Sequence, residues 1–460
     1  MTERFKHAKR VFFATLAVTA LALAPGVAGL FPADATPLPQ PLQVTQGGAG
    51  GRIIRVTSLD AAGPGTLREA LDATGPRIIV FEIGGVIDLG RTTLEITSGQ
   101  VTIAGETAPG PGITIIRGGL DVRANEVIIS NMRVYTGVDG QPLRSGWEAD
   151  AFSTVAARNV IIRNCSFLWA IDENMSASGP RFTGDNPSQW RQGTSSNIIF
   201  ANNLAAEGLA NASHPKGEHS KGSLVHDNTT GIVFYRNVWA HNVERHPLIK
   251  GGAQVLMVNN LIYNPQHRAV HYNLMALEWV GHDYVTGQLT AIGNVMRGGN
   301  DTDAGLPFLT IGGDGDLSYY GRDNRAVDRH GVALPMTGRY GETRAQILTS
   351  RRPLAPLAGI PILASQDVET AVLADAGARP WARSADDIRV LFFVAEGRGD
   401  VIDDEREVSG YPVIAPVRAP FIDADWDLST MTPRSGLYPA QTAPRPQEAL
   451  TPRDRSSRTQ

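Results

Sequence analysis

The 460-residue chain has one cysteine, Cys165, so an exported form would stand without an internal disulfide and would depend on burial for its stability. Aromatic residues are scarce at 7%, while glycines number 49; that balance argues against a helical bundle and for a fold with many tight turns. Excess charge is also lacking: the formal net charge of −4 offers no general attraction to nucleic acid. Beyond the N-terminus there is no apolar run long enough to cross a bilayer. What remains, 42% hydrophobic and 19% charged residues, is enough for a large globular core with an appendage.

The first ten residues carry Arg4, Lys6, Lys9 and Arg10, and an apolar run from Val11 to Ala24 ends in small residues and Pro25. This is the layout of a secretory signal, with cleavage after Ala24, Ala28 or Ala35, the last preceded by Ala33 in an A-x-A pattern. Residues 1–35 are therefore assigned to a signal peptide, and the mature protein is expected outside the cell or in a periplasm, free of the membrane. At the other end, residues 439–460 are dominated by Pro, Gln, Arg, Ser and Thr and read as a disordered tail.

Between these ends the chain repeats loosely. VIISNMRV (127–134), VIIRNCSF (160–167), NIIFANNL (197–204), GIVFYRNV (231–238), QVLMVNNL (254–261) and QLTAIGNV (288–295) share a β-branched run, a small or amide residue and an aliphatic. Aligning Met132, Cys165, Asn203, Asn237, Asn260 and Asn294 gives steps of 33, 38, 34, 23 and 34 residues, a constant strand with a variable loop. A parallel β-helix has that signature: coils stack, and loops of unequal length leave one side to form a groove. Stacked coils would align the asparagines as an amide ladder, with Cys165 a buried member of the column rather than a nucleophile. Upstream, TLREALDATGPRIIVFEIGGVIDL reads as a capping helix and strands, with Thr66 and Glu69 in capping-box positions. The expected division is an all-β solenoid over 36–335, with an N-terminal cap, and an irregular C-terminal extension over 336–438. In that extension ETAVLADAGARPW and RVLFFVAEGRGDVID are expected to add a helix and a strand over the last coil. The polar segment 178–196 is expected to overhang the groove.

The stretch His214–Lys250 holds Lys216, Lys221, Arg236, Arg245, Lys250 and five histidines against the acids Glu218, Asp227 and Glu244. A local surplus of cations in a slightly acidic protein points to an anionic partner. Within and around this stretch, AGETAPGPGITI (104–115), CSFLWAIDEN (165–174), NNLAAEGLANASHPKGEHSKG (202–222) and ERHPLIKGG (244–252) together resemble the pectate lyase family of right-handed parallel β-helices. VLADAGARPWARSADDIRV and GYP echo the C-terminal portion of its bacterial members, so the resemblance runs from about residue 47 to 412.

The resemblance implies an enzyme that cleaves an acidic polysaccharide such as polygalacturonate by β-elimination. It implies Arg245 as the base, since Arg245, Pro247 and Lys250 match the family's R-x-P-x-x-R with lysine in the last place. Lys216 and Lys250 would bind the substrate carboxylate, and Lys221, a weaker candidate, reads as an exposed charge. Calcium is the implied cofactor, held by Glu148 and Asp150 in place of a D-x-D pair and by Asp172; all three are hard oxygen donors. The sequence departs from the family at Leu168, where another acidic ligand is expected, and at IIRN (161–164), where Arg163 replaces an acid. Glu173 reads as a turn residue. Histidines 214, 219, 226, 241 and 246 read mostly as satisfied structural residues. The working form is expected to be a monomer. Two alternatives stay open: a β-helical hydrolase using paired carboxylates, for which Asp172 and Glu173 make a poor pair, and a non-catalytic solenoid that binds acidic polysaccharide.

Overall fold

The computed structural model describes residues 37–435 and Tyr438; the segments read as a signal peptide, 1–35, and as a tail, 439–460, lie outside the described residues. Each repeating run breaks in two at a turn. Val127–Ser130 is followed by Met132–Tyr135, Ser196–Ala201 by Leu204–Ala206, and Gln254–Val258 by Leu261–Tyr263. The break falls on a residue with left-handed backbone, where asparagine is tolerated better than most: Asn131, Asn164, Asn202 and Asn259 have φ of 57°, 48°, 54° and 54°. Arg236 takes the same turn at 54°.

Strands of successive coils pair in parallel. One sheet holds 11 strands from Arg52–Val56 to Ile347–Thr349, and a second, bent sheet holds 17. The register stacks like on like: Ile129 on Ile162, Ile162 on Phe200, Phe200 on Phe234, and Phe234 on Met257. These side chains fill the interior, and the Phe200 and Phe234 rings stack at 5.0 Å. Both faces of the 11-stranded sheet are apolar, because Ile161, Ile199, Val233 and Leu256 pack outside it against Leu38, Leu42 and Ile360. Paired strands continue to Thr349, past residue 335.

The amide ladder forms as the alignment requires. Asn203 Oδ1 accepts from the Cys165 N–H at 2.9 Å, Asn237 Oδ1 from Asn203, Asn260 Oδ1 from Asn237, and Asn294 Oδ1 from Asn260 at 3.0 Å. Asn324, one coil beyond the aligned set, extends it by accepting from the Asn294 N–H at 3.0 Å. Cys165 is fully buried in this column, and burial pushes its thiol up to about 12. Such a thiol is not a nucleophile at neutral pH.

The cap helix Leu67–Asp72 starts at Thr66, whose Oγ1 accepts from the Glu69 N–H, while the Glu69 carboxylate turns back to Gly65 N–H at 2.6 Å. The C-terminal extension departs from expectation. The two runs expected as a helix and a strand both form helices, Ser365–Asp375 and Ala385–Glu396. The run RVLFFVAE is helical because Ser384 caps its start, Gly397 ends it at φ 69°, and Ile388, Leu391 and Val394 fall on one buried face. Their place also differs: they cover the flank formed by Leu168, Leu204, Val238 and Leu261, not the end of the last coil. Segment 178–196 contains the helix Pro187–Gly193, and its Phe182 and Trp190 meet Trp279 edge to face. Among the described residues, no helix is long and apolar enough to cross a membrane.

Candidate active site

Four loops join a short strand after the asparagine turn to the next strand in the bent sheet: Leu168 to Glu173, Ala206 to Lys221, Ala240 to Leu248, and Tyr263 to Val270. Because the strands at both ends of each loop are paired coil to coil, the loops stack. That stacking brings together residues far apart in sequence: Asp172 and Glu173; His214, His219 and Lys221; Glu244 and Arg245; and Arg268.

Arg245 sits at the centre with φ 69°, its side chain 23% exposed. Its Nη1 donates to Glu173 Oε1 and lies 3.9 Å from Asp172 Oδ1; its Nε, 3.9 Å from Glu244 Oε1, is buried without a hydrogen bond. Burial lowers the proton affinity of this guanidinium, and the nearby Asp172 and Asp150 charges oppose that shift. The Glu173 N–H donates to Asp150 Oδ1 at 3.0 Å, which draws the loop holding Asp150 onto the same coil edge.

The acids respond unequally. Asp150 is held well above the usual carboxylate range, by burial first and then by Asp172 and Asp121. For Asp172 burial acts in the same direction, but the His219 hydrogen bond and the Arg245 charge outweigh it and bring the group below its ordinary value. The ligand atoms of Asp150, Asp172 and Glu173 lie within 4.8 Å of one another. Crowded carboxylate oxygens with one carboxyl forced toward neutrality suit a hard divalent cation; this donor set fits calcium.

Glu148 does not join that trio. It is exposed, and its Oε2 lies 2.9 Å from His214 Nε2 because its loop carries it past Asp150 toward the neighbouring coil. Lys216 is exposed, and its backbone N–H donates to His214 Nδ1 at 3.2 Å. Lys221, read from sequence as an exposed charge, is buried: it pairs in the sheet with Glu173, and its Nζ donates to Glu244 Oε1 at 2.8 Å. Burial and then Arg268 lower its ammonium to about 8, while the Glu218 and Asp172 charges work against that shift. Lys250 is also buried, and its ammonium is held by Glu278, itself 3.5 Å from Arg181. Its charge reaches a substrate only by exchanging that partner.

The departures at Leu168 and Arg163 lie elsewhere in the fold. Leu168 is packed under the C-terminal helices, and Arg163 faces Glu106 at 3.8 Å and the Thr430 carbonyl at 3.3 Å. His241 and His246 are buried, and burial takes each down to about 4, consistent with structural neutral rings. Glu173, Glu244 and Arg268 were missed as members of the cluster. The available signal was position: Glu173, Lys221 and Glu244 fall at equivalent positions of three successive coils.

No family model matches the chain. Two curated relatives are named "Probable pectate lyase C". The protein from Neosartorya fischeri is 34% identical over 249 residues, 54% of this chain and 49% of that one. The protein from Aspergillus flavus is 29% identical over 378 residues, 79% of this chain and 78% of that one. The chain thus spans about half the length of the first relative and more of the second. A solved structure to which it is similar, pectate lyase Bsp165PelA from Bacillus sp. N165 in complex with trigalacturonate, has a TM-score of 0.46 and 16% identity, covering 75% of this chain and 99% of that chain. Both curated relatives are fungal, so the likeness is not a specifically bacterial one. By its sequence, this parallel β-helix is similar to curated proteins named probable pectate lyase C.

Proposed function

We propose that the protein is a secreted lyase, working as a monomer, that cleaves a uronate polymer such as polygalacturonate by β-elimination. The observation that carries this reading is the convergence of Arg245 with Asp150, Asp172 and Glu173 on one edge of the stack, in a chain related to pectate lyases.

The reaction removes a proton from the carbon α to the uronate carboxyl group. The C–H electron pair becomes the new double bond to the β-carbon, whose bond to the glycosidic oxygen breaks, and that oxygen leaves with a proton. The difficulty is the weak acidity of the α-proton, and positive charge on the carboxylate lowers the barrier. Arg245 is the proposed base: burial moves its proton affinity in the required direction, and once the side chain has left Glu173 and released its own proton to solvent, the neutral guanidine accepts the α-proton. Lys216, exposed beside His214, is the proposed carboxylate ligand, with Lys250 joining after release from Glu278. Asp150, Asp172 and Glu173 would hold calcium, which when bound supplies further charge to the substrate carboxylate. Glu148 is left on the rim of that site.

The test is the ultraviolet absorbance of the conjugated, unsaturated uronate released from polygalacturonate. The wild-type chain is expected to produce it, a calcium chelator to reduce it, and Arg245→Ala to lower it by about 10²–10⁴-fold with the fold intact. Cleavage without unsaturation would rule out elimination. One observation favours a second reading, a non-catalytic binding solenoid: Arg245 is already engaged by Glu173. Binding of oligogalacturonate with no product across pH and calcium concentration would support it.

A further inference from the structure

Beside the all-carboxylate cluster lies a group of different chemistry. His214 Nε2 is 3.6 Å from Asp172 Oδ2 and 2.9 Å from Glu148 Oε2, and His219 Nε2 is 3.2 Å from Asp172 Oδ1. We propose that Asp172, His214 and His219, with Glu148 at the solvent edge, form a site for a borderline divalent transition cation such as Zn2+, distinct in preference from the oxygen-only cluster with which it shares Asp172.

Donor type is the first argument. Imidazole nitrogens suit zinc, nickel, copper and iron, whereas calcium selects oxygen ligands. Two histidines and a carboxylate make a three-ligand set that leaves positions open for water or substrate. Spacing is the second. Around an ion with bonds of about 2.1 Å, adjacent ligand atoms sit roughly 3.0–3.4 Å apart; the separations of 2.9, 3.2 and 3.6 Å bracket that range.

The third argument is what these atoms lack. His214 is fully buried, yet its Nε2 has no hydrogen bond of acceptable geometry. A buried ring nitrogen left unpaired between two carboxylates is costly unless something else meets it. His219 is already oriented: its Nδ1 faces the Glu218 carbonyl at 3.0 Å and its Nε2 faces Asp172 Oδ1 at 3.2 Å, and a shared cation would replace the latter contact.

Binding asks for small adjustments. The rings of His214 and His219 stack at 3.3 Å and 13°, so one must turn about its Cβ–Cγ bond for both in-plane lone pairs to meet an ion. His214 Nδ1 accepts from the Lys216 N–H, so ligation through Nε2 moves the imidazole proton to Nδ1 and displaces that contact. Pro215, Lys216 and Glu218 are exposed, and this surface loop can yield.

The experiment is calorimetric titration of the chelator-stripped full-length chain with Zn2+ and, separately, with Ca2+. One Zn2+ per chain is expected, with a Kd in the micromolar range or below. His214→Gln and His219→Gln should each weaken Zn2+ on the order of a hundredfold and leave Ca2+ unchanged, while Asp150→Asn should weaken Ca2+ and spare Zn2+. Visible absorption of Co2+ added to the wild-type chain covers the case in which a glutamine variant fails to fold: intense bands of a low-coordinate, nitrogen-ligated ion support the site. A spectrum matching aqueous Co2+, no Zn2+ binding, or equal Zn2+ binding in both glutamine variants would overturn it. No Zn2+ binding by the wild-type chain with unsaturated product intact counts against this site alone, and Zn2+ binding by the wild-type chain without product counts against the lyase reading alone.

Discussion

Glu207–Arg389 and Glu173–Arg245 are both arginine–carboxylate pairs with a buried acid, and they differ in how completely the acid is met. Glu207 takes a two-pronged contact from Arg389, at 2.5 and 2.8 Å, and a third from Trp169 Nε1 at 3.0 Å. Burial pushes its carboxyl up, but Arg389 outweighs that and holds it below its ordinary value. Glu173 takes a single prong of Arg245, whose Nη1 also lies 3.9 Å from Asp172 Oδ1. The first pair locks the helix Ala385–Glu396 onto the stack; the second keeps unspent capacity for a ligand. Charge and burial alone do not distinguish structure from function, but completeness of partnering does.

The largest effect should come from Arg389→Met, which strands Glu207 in the interior. It should cost about 3–5 kcal/mol in urea denaturation. Arg245→Met should cost clearly less, because its side chain borders solvent and protonation of Asp150 relieves the leftover charge; equal losses would erase the distinction. Next comes the ladder, where Asn237→Ala leaves the Asn203 N–H without its acceptor. A loss of about 1–3 kcal/mol is expected by the same measurement.

A smaller effect depends on pH. The folded-state pKa of Asp150 lies above its unfolded value, so its ionisation opposes folding increasingly as pH rises past the ordinary carboxylate range. Asp150→Asn should therefore raise Tm by roughly 1–3 °C at pH 8 and by less at pH 4, as read by scanning calorimetry. A gain that is the same at both pH values would place the strain elsewhere. Smallest of all, Cys165 should resist a thiol reagent in the native protein and react only in denaturant; native labelling would mean that the ladder column opens to solvent.

Much of the scaffold was legible before any coordinates. The aligned asparagines announced a ladder because a side-chain amide stacked at coil spacing must recur in sequence, and Cys165 was placed with them for the same reason. Legibility stopped where a residue's partner lies on another coil. Lys221 and Lys250 looked like free cations, yet Glu244 and Glu278 hold them in buried pairs. Glu148 and Asp150 looked like one cation clamp, yet only Asp150 joins the carboxylate cluster. The run RVLFFVAE was read as strand because its apolar residues are contiguous; only its caps and its packing against Leu204 and Val238 mark it as a helix.

By itself the sequence determined the coil. β-Branched runs dictate strands, asparagine permits the left-handed turn between them, and like residues at coil spacing make parallel stacking the way to bury them. The tertiary structure decided which charges meet. Loop lengths, not local chemistry, bring Asp172, His219 and Arg245 to one edge, and the Coulomb and desolvation terms that set their properties act across coils that the linear chain keeps apart.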